Sequence, residues 1–338
     1  MIYIYYFMPS KLSFDPGVWK SRKSIKCLIL RIMYLKLSRQ DNMSSKKPPL
    51  SVPHKTRTSL AEEDWKKSSV FEEYEFIDLL GKGAFATVWK ARDKRTGERV
   101  AIKVSHIDKG SISAIVKEFI ALKKFDHPNI VKSECFYHNA RKNSAFMVLR
   151  LYDMDLFSFV DDRDNPLGKK TLRKLILDIG GALKQVHDAD LVHRDVKPEN
   201  ILVGDDGTFV LTDFGGAEHV DYVTIDKIIG TGAYLAPEVA AGYSRMNEGV
   251  FTIGKPSDIY SFGMTLYLAA TQTHGCPNYK DIRSMVRYIP NHDMIPMVDS
   301  MNHCEELKDL LRGMLDRHAI QRLTIDEVLT HPFLKNKS

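Results

Sequence analysis

The sequence predicts an α+β fold of two lobes, in which a small five-stranded lobe precedes a larger, mainly helical one. Between residues 74 and 151, short apolar runs alternate with turn residues, a pattern typical of β-strands. Beyond Tyr152, apolar residues recur at helical spacing instead. We expect the lobes to join near Arg150–Asp153 and to form a cleft, because ligand sites commonly lie between such units.

Composition indicates a folded protein and argues against nucleic-acid binding. Of the 338 residues, 43% are hydrophobic, which is ample material for a core. The formal net charge is +6, but residues 1–48 alone hold ten Lys/Arg against two acidic residues. The remainder therefore carries about −2, and a nearly neutral folded part argues against nucleic-acid binding.

The first 73 residues are predicted to be a basic, flexible extension. Residues 43–70 combine prolines with many Ser, Thr and Lys, a composition typical of flexible tails. Met43 opens an ordinary N-terminal sequence, so residues 1–42 are alternatively an artefact of a misassigned start. Residues 24–37 mix apolar and basic side chains and could form an amphipathic helix at a membrane surface.

Cysteine usage indicates an intracellular protein. Cys27, Cys135, Cys276 and Cys304 are far apart and form no C-x-x-C pair or zinc spacing. Dispersed single cysteines favour a reducing compartment, here the cytoplasm, the nucleus or both. No apolar run approaches the roughly 20 residues that span a bilayer. We therefore expect a soluble protein, with membrane contact limited to a peripheral one through residues 24–37.

The small lobe is predicted to contain five strands and one helix. The first two strands flank a glycine turn, and the helix has apolar residues at helical spacing with Glu118 between them. The predicted strands are residues 74–80, 87–91, 99–105, 130–137 and 144–151, and the predicted helix is residues 112–125.

The large lobe is predicted to be helical. Its longest helix, residues 171–188, keeps one apolar face despite the weakening Gly180-Gly181 pair in its middle. The further predicted helices are residues 258–272, 282–288, 305–315 and 325–329.

The densest motif is H-R-D-V-K-P-E-N at residues 193–200, followed by D-F-G at residues 213–215. These strings resemble the catalytic and metal-binding loops of eukaryotic protein kinases. The resemblance covers about Tyr74 to Leu334 and implies the bilobal protein-kinase fold. The implied divisions are a small lobe at 74–150, a large lobe at 151–334 and a tail at 335–338.

The resemblance implies a catalytic role for several residues. Asp195 matches the base that accepts or orients the substrate hydroxyl proton, and Lys197 offsets charge on the transferring phosphoryl group. Asn200 and Asp213 match ligands of Mg²⁺, which prefers oxygen donors. Thr231 is expected to bond Asp195 and Lys197, and together with Lys197 it indicates serine/threonine rather than tyrosine specificity.

A lysine in an otherwise apolar strand, Lys103, needs an anionic partner unless it snorkels from the surface. The family supplies two partners, the ATP phosphates and a helix glutamate that by position is Glu118. Gly81 and Gly83 let backbone approach phosphates, although Ala86 replaces the third family glycine. Neither a dinucleotide-binding fingerprint nor a P-loop fits this turn. The other ATP-binding residues that the resemblance implies are Leu80, Lys82, Ala84, Phe85, Val88, Ala101, Leu149, Arg150, Leu151, Tyr152, Asp155 and Leu202.

Other matches to the family are structural or regulatory. We expect Phe214 to stack with His193 and Leu122, Arg322 to pair with Glu238, and Asp258 to support the catalytic loop. Arg194 precedes the predicted base, where a guanidinium commonly binds a phosphate on the activation segment. The available phosphate acceptors are Tyr222 and Thr224; Thr224 is the favoured hypothesis, and Asp221 or Asp226 as a fixed anion is its rival.

We predict a serine/threonine protein kinase that transfers the γ-phosphate of Mg-ATP to protein substrates. The alternative is an inactive pseudokinase scaffold, which the presence of every predicted catalytic residue disfavours. A small-molecule kinase is disfavoured by the peptide-platform signature at residues 230–238. Glu199, Asp153 and Asp155 would attract a basic peptide, although solvation or ribose contact explains them equally well. The oligomeric state stays open.

Overall fold

The computed structural model describes residues 70–83, 86–105, 109–139, 144–220, 232–244, 254–276 and 282–335. Within these ranges a five-stranded antiparallel sheet precedes a mainly helical region, which is the bilobal architecture that the sequence predicts. The predictions that lie outside the described residues concern the segments 1–42, 24–37 and 43–69 and the residues Ala84, Phe85, Asp221, Tyr222, Thr224, Asp226 and Thr231.

The small-lobe sheet has the strand order β1-β2-β3-β5-β4, and each neighbouring pair is antiparallel. All five predicted strands are present. Their bounds are β1 Tyr74–Lys82, β2 Ala86–Asp93, β3 Arg99–Ser105, β4 Ser133–Asn139 and β5 Ser144–Arg150.

A short helix that the sequence did not predict, α1 (Val70–Glu73), precedes β1. Val70 is fully buried, and the Phe71 ring stacks on Phe76 with 4.6 Å between centroids. The Lys94 ammonium donates to the Phe71 carbonyl at 2.6 Å. Val70 and Phe71 therefore pack against the apolar core of the small lobe, although they lie within the expected extension.

The main small-lobe helix, α2 (Lys109–Leu122), ends three residues before its predicted end. The fourth strand also begins later than predicted, at Ser133 instead of Ile130. The reason is that Ile130 forms a parallel bridge with Leu211 of the large lobe. The Leu211 amide donates to the Asn129 carbonyl at 2.8 Å. The turn after α2 is thus tied to the large lobe at Asn129 and Ile130, before β4 begins.

Within the described residues, the large lobe contains the predicted helices and four further helices of four to eight residues that the sequence analysis did not predict. Its helices are α3 Leu156–Asp161, α4 Lys169–Asp188, α5 Pro237–Ser244, α6 Lys255–Thr271, α7 Ile282–Tyr288, α8 Ile295–Asp299, α9 Glu305–Met314, α10 Ile325–Thr330 and α11 Pro332–Lys335. Its short strands are β6 Met154–Asp155, β7 Leu191–Val192, β8 Ile201–Val203, β9 Phe209–Leu211 and β10 Glu218–His219.

The Gly180-Gly181 pair in α4 has a packing reason. A Cβ at Gly180 would lie 2.8 Å from the Leu329 Cδ2 atom, and one at Gly181 would lie 3.4 Å from the His127 Cε1 atom. The missing side chain at Gly180 lets α10 approach one side of α4, whereas the distance at Gly181 is that of an ordinary van der Waals contact. The pair weakens the helix locally but permits one close contact.

Helix α6 crosses the interior of the large lobe, and its residues from Ser257 to Ala270 are buried. It begins at Lys255, three residues earlier than predicted, because a proline in the first turn has a φ suited to helix. In the described parts of the chain, no helix is long and apolar enough to cross a membrane.

Candidate active site

The loop at residues 193–200 brings three predicted catalytic residues together. The Asn200 side-chain amide donates to the Asp195 carbonyl at 2.8 Å and to Asp195 Oδ2 at 3.0 Å. The Lys197 ammonium lies 2.9 Å from the same Oδ2 atom. Residues 198–200 form a 3₁₀ turn that returns Asn200 towards Asp195. The Asp195 carboxylate therefore has a fixed orientation and an adjacent positive charge.

A buried carboxylate in α6, that of Asp258, supports this loop by accepting hydrogen bonds from its backbone. Asp258 Oδ2 accepts the His193 amide at 2.8 Å, and Oδ1 accepts the Arg194 amide at 2.8 Å. The His187 Nε2 atom lies 3.0 Å from Oδ2. Burial alone would raise the pKa of Asp258, but these partners hold it below its ordinary value. The predicted supporting role of Asp258 agrees with this geometry.

The backbone at Arg194 needs this support. Its φ is +71°, in the left-handed region that side chains other than glycine rarely adopt. Asp258 accepts hydrogen bonds from the amide of Arg194 and from that of the preceding residue, His193, so the fold over-determines this conformation. The strained backbone sets the direction of Asp195, the next residue.

Lys103 connects two carboxylates from distant parts of the sequence. Its ammonium lies 2.6 Å from Glu118 Oε2 and 2.8 Å from Asp213 Oδ1. Strand β3 supplies the lysine, α2 supplies Glu118, and Asp213 follows β9. The lysine is therefore paired from the interior of the lobe, which agrees with the expected helix partner and excludes the surface-snorkelling alternative.

The charges in this cluster shift each pKa. Burial raises the pKa of Glu118 to about 7, and the Lys103 charge opposes this only in part. The Lys103 charge lowers the pKa of Asp213 to about 2. Burial would lower the pKa of Lys103, but its two anionic partners raise it above its ordinary value. One cation thus serves two carboxylates, and the cluster carries excess negative charge.

The D-F-G turn joins this cluster to the catalytic loop. Asp213 has a left-handed φ of +60°, and the buried Phe214 ring packs edge-on against His193 with 4.7 Å between centroids. Phe125 also packs on Phe214, at 5.6 Å. Leu122 is buried at the end of α2. The contact of Phe214 with His193 agrees with that prediction, and Phe125 is an addition to it.

Strand register places four predicted ATP-binding residues on one face of the small-lobe sheet. Val88 is opposite Lys103, and Leu149 is opposite Ala101. Residues two apart on one strand share a face, so Ala101 and Lys103 point to the same side. These four side chains form a mainly apolar surface with one cation at its inner end.

The glycine turn is spacious where the predicted nucleotide would lie. A Cβ at Gly81 would meet nothing within 4 Å, and one at Gly83 would only contact the Ala86 carbonyl at 3.5 Å. The Gly83 amide donates to that carbonyl at 2.8 Å and closes the turn. The fold alone does not require glycine at these positions, so their lack of side chains is available for a ligand. Leu80, half exposed, and Lys82 end β1 beside them.

The remaining predicted ATP-binding residues lie at the junction of the lobes. The Arg150 guanidinium lies over the Tyr152 ring, 5.3 Å from its centroid, and Leu151 separates the two residues in sequence. Leu202 of β8 is paired with Asp155 of β6. Asp155 also caps α3, because its Oδ1 accepts the Ser158 amide at 2.8 Å. A structural role for Asp155 therefore exists beside the expected ribose contact.

The oxygen ligands fit a magnesium ion held partly by phosphates. In the described ranges no group of three or more His, Cys, Asp or Glu side chains forms a metal cage. Mg²⁺ usually takes one or two protein ligands together with phosphates and waters. The Asp213 side chain is 43% exposed, and Asn200 uses its nitrogen on Asp195, which leaves its amide oxygen for a cation.

Two further predicted contacts concern arginines. Arg322 forms a bidentate pair with Glu238, at 2.8 Å and 3.0 Å, as expected. The Arg194 Nε atom donates to the Gly216 carbonyl at 2.6 Å. Arg194 is thus directed towards the segment that follows the D-F-G turn. The acceptors proposed for its phosphate contact, Tyr222 and Thr224, are outside the described residues.

Sequence reasoning missed two buried polar residues that position the site. His187 lies on the buried face of α4 and contacts Asp258, and its spacing of four from Leu183 was the available signal. The Asn129 side-chain amide donates to the Phe209 carbonyl at 2.8 Å. Asn129 thereby fixes β9, which leads to Asp213. Its position in a turn gave no sequence signal of this role.

A two-lobed fold with these paired loops defines a protein kinase domain, and sequence comparison agrees. The model of the protein kinase domain family matches residues 74–334. The chain belongs to the eukaryotic protein kinase family.

Similar proteins include three that are named as serine/threonine-protein kinases. A probable kinase pXi of Dictyostelium discoideum is 30% identical over 274 residues, 79% of this chain and 36% of that protein. The kinase TIO of Arabidopsis thaliana is 30% identical over 272 residues, 78% of this chain and 19% of that protein. The kinase RAD53 of Saccharomyces cerevisiae is 30% identical over 288 residues, 80% of this chain and 34% of that protein. The chain thus spans well under two thirds of these relatives' length.

Proposed function

We propose that this chain is an active serine/threonine protein kinase that transfers the γ-phosphoryl group of ATP, with Mg²⁺, to hydroxyl groups of proteins. The observation that carries the proposal is the simultaneous pairing of Lys103 with Glu118 at 2.6 Å and with Asp213 at 2.8 Å. Active kinases need this lysine, the helix glutamate and the D-F-G aspartate in place together. The oriented Asp195 provides the acceptor side of the reaction.

ATP would bind between the lobes. The apolar face formed by Val88, Ala101 and Leu149 suits the adenine ring, and Leu202 suits its other side. The backbone of residues 150–152 would bond the adenine edge. The glycine turn would cover the phosphates. The phosphates would be a third anionic partner of the Lys103 ammonium, beside Glu118 and Asp213.

Asp213 and Asn200 would hold the magnesium ion through a carboxylate oxygen and an amide oxygen. When bound, the ion neutralises negative charge on the phosphates during transfer. Asn200 has a second function, because its amide nitrogen keeps the Asp195 carboxylate in one orientation.

In the transfer step, the substrate hydroxyl oxygen forms a bond to the γ-phosphorus, and the bond from that phosphorus to the ADP oxygen breaks. Asp195 accepts the hydroxyl proton, and Lys197 balances negative charge beside it. The protein contributes mainly positioning and electrostatic stabilisation. Lys197 and the names of the relatives support serine or threonine as the acceptor, and Thr231 would contribute to the same site.

The preferred substrates would carry basic residues near the acceptor. Glu199 is exposed beside the predicted catalytic residues. Burial of Tyr234 is the main cause that raises the pKa of Tyr234, and the negative charge of Glu199 raises it further. Asp153 lies near the junction of the lobes and adds negative charge. An acidic rim of this kind attracts basic peptides and fixes their orientation.

Regulation would act through the activation segment. Phosphorylation of Thr224, or of Tyr222, would place a phosphate that Arg194 can bind; Asp221 or Asp226 is the rival anion. The domain proposed for this activity is residues 74–334, with residues 1–73 as a basic extension and 335–338 as a tail. We place the enzyme inside the cell, in the cytoplasm, the nucleus or both.

Phosphate transfer from ATP to a generic basic protein tests the proposal, with the full chain, varied divalent cations and samples with and without prior phosphorylation. Incorporation of phosphate into Ser or Thr, lost in Asp213→Asn, is expected. Absence of transfer under all conditions would support the alternative of a pseudokinase scaffold. Loss of activity after phosphatase treatment and in Thr224→Ala is expected from the regulatory proposal, and unchanged activity contradicts it.

A further inference from the structure

An ion pair that the reaction itself does not use connects α2 to the activation segment. The Lys117 ammonium contacts Glu218 Oε2. Lys117 precedes Glu118 on α2, and Glu218 is the first residue of β10. The pair lies outside the Lys103 cluster but adjoins it, so its effect on that cluster follows from the geometry of the two elements.

On the α2 side, consecutive residues of a helix point about 100° apart. Glu118 points to Lys103, and Lys117 is directed to the neighbouring face, towards Glu218. A rotation of α2 that removes Glu118 from Lys103 would also move Lys117 relative to Glu218. The two ion pairs therefore both constrain the orientation of α2.

On the other side, the segment from Gly216 to Val220 is fixed to the catalytic loop at several points. Strand β10 pairs with β7, with Glu218 opposite Val192, and Val192 immediately precedes His193. The Val220 amide donates to the Asp190 carbonyl at 2.9 Å. The Arg194 Nε atom donates to the Gly216 carbonyl. Glu218 is thus an anion held in a fixed position relative to the catalytic residues.

The environment of the pair favours a measurable contribution. The side chains of Lys117 and Glu218 are only 25% and 27% exposed, so solvent screens their interaction less than that of a surface pair. An anion on a kinase activation segment can also be supplied by phosphorylation, but Glu218 carries its charge permanently.

We propose that Lys117 and Glu218 are positioning residues that keep α2 in the orientation in which Glu118 contacts Lys103. Glu218 acts as a built-in anion of the activation segment and orients α2 before any phosphate is added. The inference rests on the proposed kinase function for its kinetic consequences, while its structural consequence can be measured in the absence of activity.

The test uses the full chain and five variants: Lys117→Gln, Glu218→Gln, the double variant of these, the reversed pair Lys117→Glu with Glu218→Lys, and the conservative Lys117→Arg. We expect each neutral variant to lower kcat/KM for ATP about tenfold, through loss of the competent population. The double variant should be no worse than either single variant, because the same interaction is lost. The reversed pair and Lys117→Arg should recover activity to within about threefold of wild type.

Hydrogen exchange of amides in α2 and β10, without nucleotide, provides a second readout that does not need catalysis. Exchange in both elements should accelerate in the neutral variants and return to the wild-type rate in the reversed pair. Lys184→Gln is the matched control, since Lys184 pairs with Asp188 and Asp326 in the large lobe. This control should leave exchange in α2 unchanged.

Multiplicative losses in the double variant, no recovery in the reversed pair, or exchange in α2 that equals wild type in the neutral variants would each overturn the inference. If the wild-type chain transfers no phosphate, the proposed function fails, and the exchange data still decide whether the pair orients α2. Thermal unfolding of each variant identifies global destabilisation. If a neutral variant does not fold, the activity and the α2 exchange of Lys117→Arg and of the reversed pair test the inference instead.

Discussion

The catalytic loop and the Lys103 cluster are both built from charged groups, but they are held in different ways. The catalytic loop is supported by one buried carboxylate, Asp258, through backbone amides close in sequence. The Lys103 cluster joins side chains 15 and 110 residues apart, from α2 and from the D-F-G turn. The loop is therefore preorganised by the large lobe, whereas the cluster depends on the position of α2.

Charge balance shows the same difference. Asp195 has one adjacent lysine, Lys197. In the cluster, Lys103 must satisfy both Glu118 and Asp213, and burial raises the pKa of Glu118 to about 7. A bound cation would balance the excess negative charge of the cluster. In the proposed function, the loop would therefore be a fixed proton acceptor, while the charge balance of the cluster would depend on its ligand.

The largest expected effect is a loss of kcat on substitution of Asp195 in the catalytic loop, the preorganised region of the two. Asp195→Asn removes the proposed proton acceptor but retains the size of the side chain, so kcat should fall about 10²- to 10⁴-fold. KM for ATP should change little, because Asp195 does not line the proposed nucleotide site. Steady-state kinetics measure both parameters. The matched control Asp205→Asn, on the exposed turn between β8 and β9, should behave as wild type.

If Asp195→Asn instead raised KM for ATP and left kcat unchanged, the two regions would not be separate in function. The proposed assignment of the acceptor side to the loop would then be wrong.

The next effect concerns the support of the loop. Asp258→Ala leaves two backbone amides and His187 without their acceptor in a fully buried site. Each unsatisfied buried donor costs about 1–3 kcal/mol, so the free energy of unfolding should fall by at least about 3 kcal/mol. Denaturant unfolding measures this change. Asp188→Ala, which removes an exposed partner of Lys184, should cost less than about 1 kcal/mol.

A loss at Asp258 no greater than at Asp188 would show that the loop keeps its conformation without this carboxylate. The contrast between a preorganised loop and a conditional cluster would then fail.

A smaller effect tests the charge imbalance of the cluster by its pH dependence. The pKa of Glu118 in the nucleotide-free fold, about 7, lies above its ordinary value of 4.5. Between these pH values the folded protein binds more protons than the unfolded chain, so this group's contribution to stability falls as pH rises. The slope is at most about 1.4 kcal/mol per pH unit. Asp213 has the opposite sign, because its lowered pKa stabilises the fold above its ordinary value of 3.8.

The measurement is the difference in unfolding free energy between wild type and Glu118→Gln from pH 4.5 to 7. This difference should decline across the window and level off above it. A difference that rises with pH would mean that Lys103 fully compensates Glu118, and that the cluster has no excess charge.

The sequence revealed the parts of the site that are continuous in the chain. The loop at 193–200 and the turn at 213–215 carry several polar groups within a few residues, so their resemblance to protein-kinase loops was visible in the sequence. Lys103 was also detectable, because a lysine in an apolar strand is costly without a partner. The five strands were predictable because short apolar runs and turn residues, which lie close together in sequence, define them.

Features that depend on distant partners were not predictable in this way. Lys117 and Glu218 are 101 residues apart, and each alone is an ordinary charged residue. Helix α1 has only four residues, and it forms because Val70 and Phe71 find apolar partners on the sheet. The late start of β4 follows from the bridge between Ile130 and Leu211, which no pattern within residues 130–137 indicates. Tertiary contacts decided these cases over local propensity.

The smallest effect lies in α4, which contacts the turn after α2 on one side and α10 on the other. Gly181 is next to His127, in the turn after α2, and Gly180 is next to Leu329 of α10. Alanine in a helix is favoured over glycine by about 1 kcal/mol. Gly181→Ala, with its nearest contact at 3.4 Å, should therefore be neutral or stabilising by up to about 1 kcal/mol. Gly180→Ala places a Cβ 2.8 Å from Leu329 and should be less stable than Gly181→Ala by about 1 kcal/mol.

Denaturant unfolding of the two single variants gives this difference, and the double variant Gly180→Ala with Leu329→Ala tests its cause by removing the crowded side chain. In the Leu329→Ala background the penalty at position 180 should disappear, because the crowding Leu329 atoms are removed and the remaining neighbour, Ile325 Cδ1, lies at an ordinary van der Waals distance of 3.8 Å. If Gly181→Ala is instead the more destabilising change, His127 cannot yield, and the joint between the turn after α2 and the large lobe is rigid. The Lys103 cluster would then be anchored as firmly at this end as the catalytic loop is by Asp258.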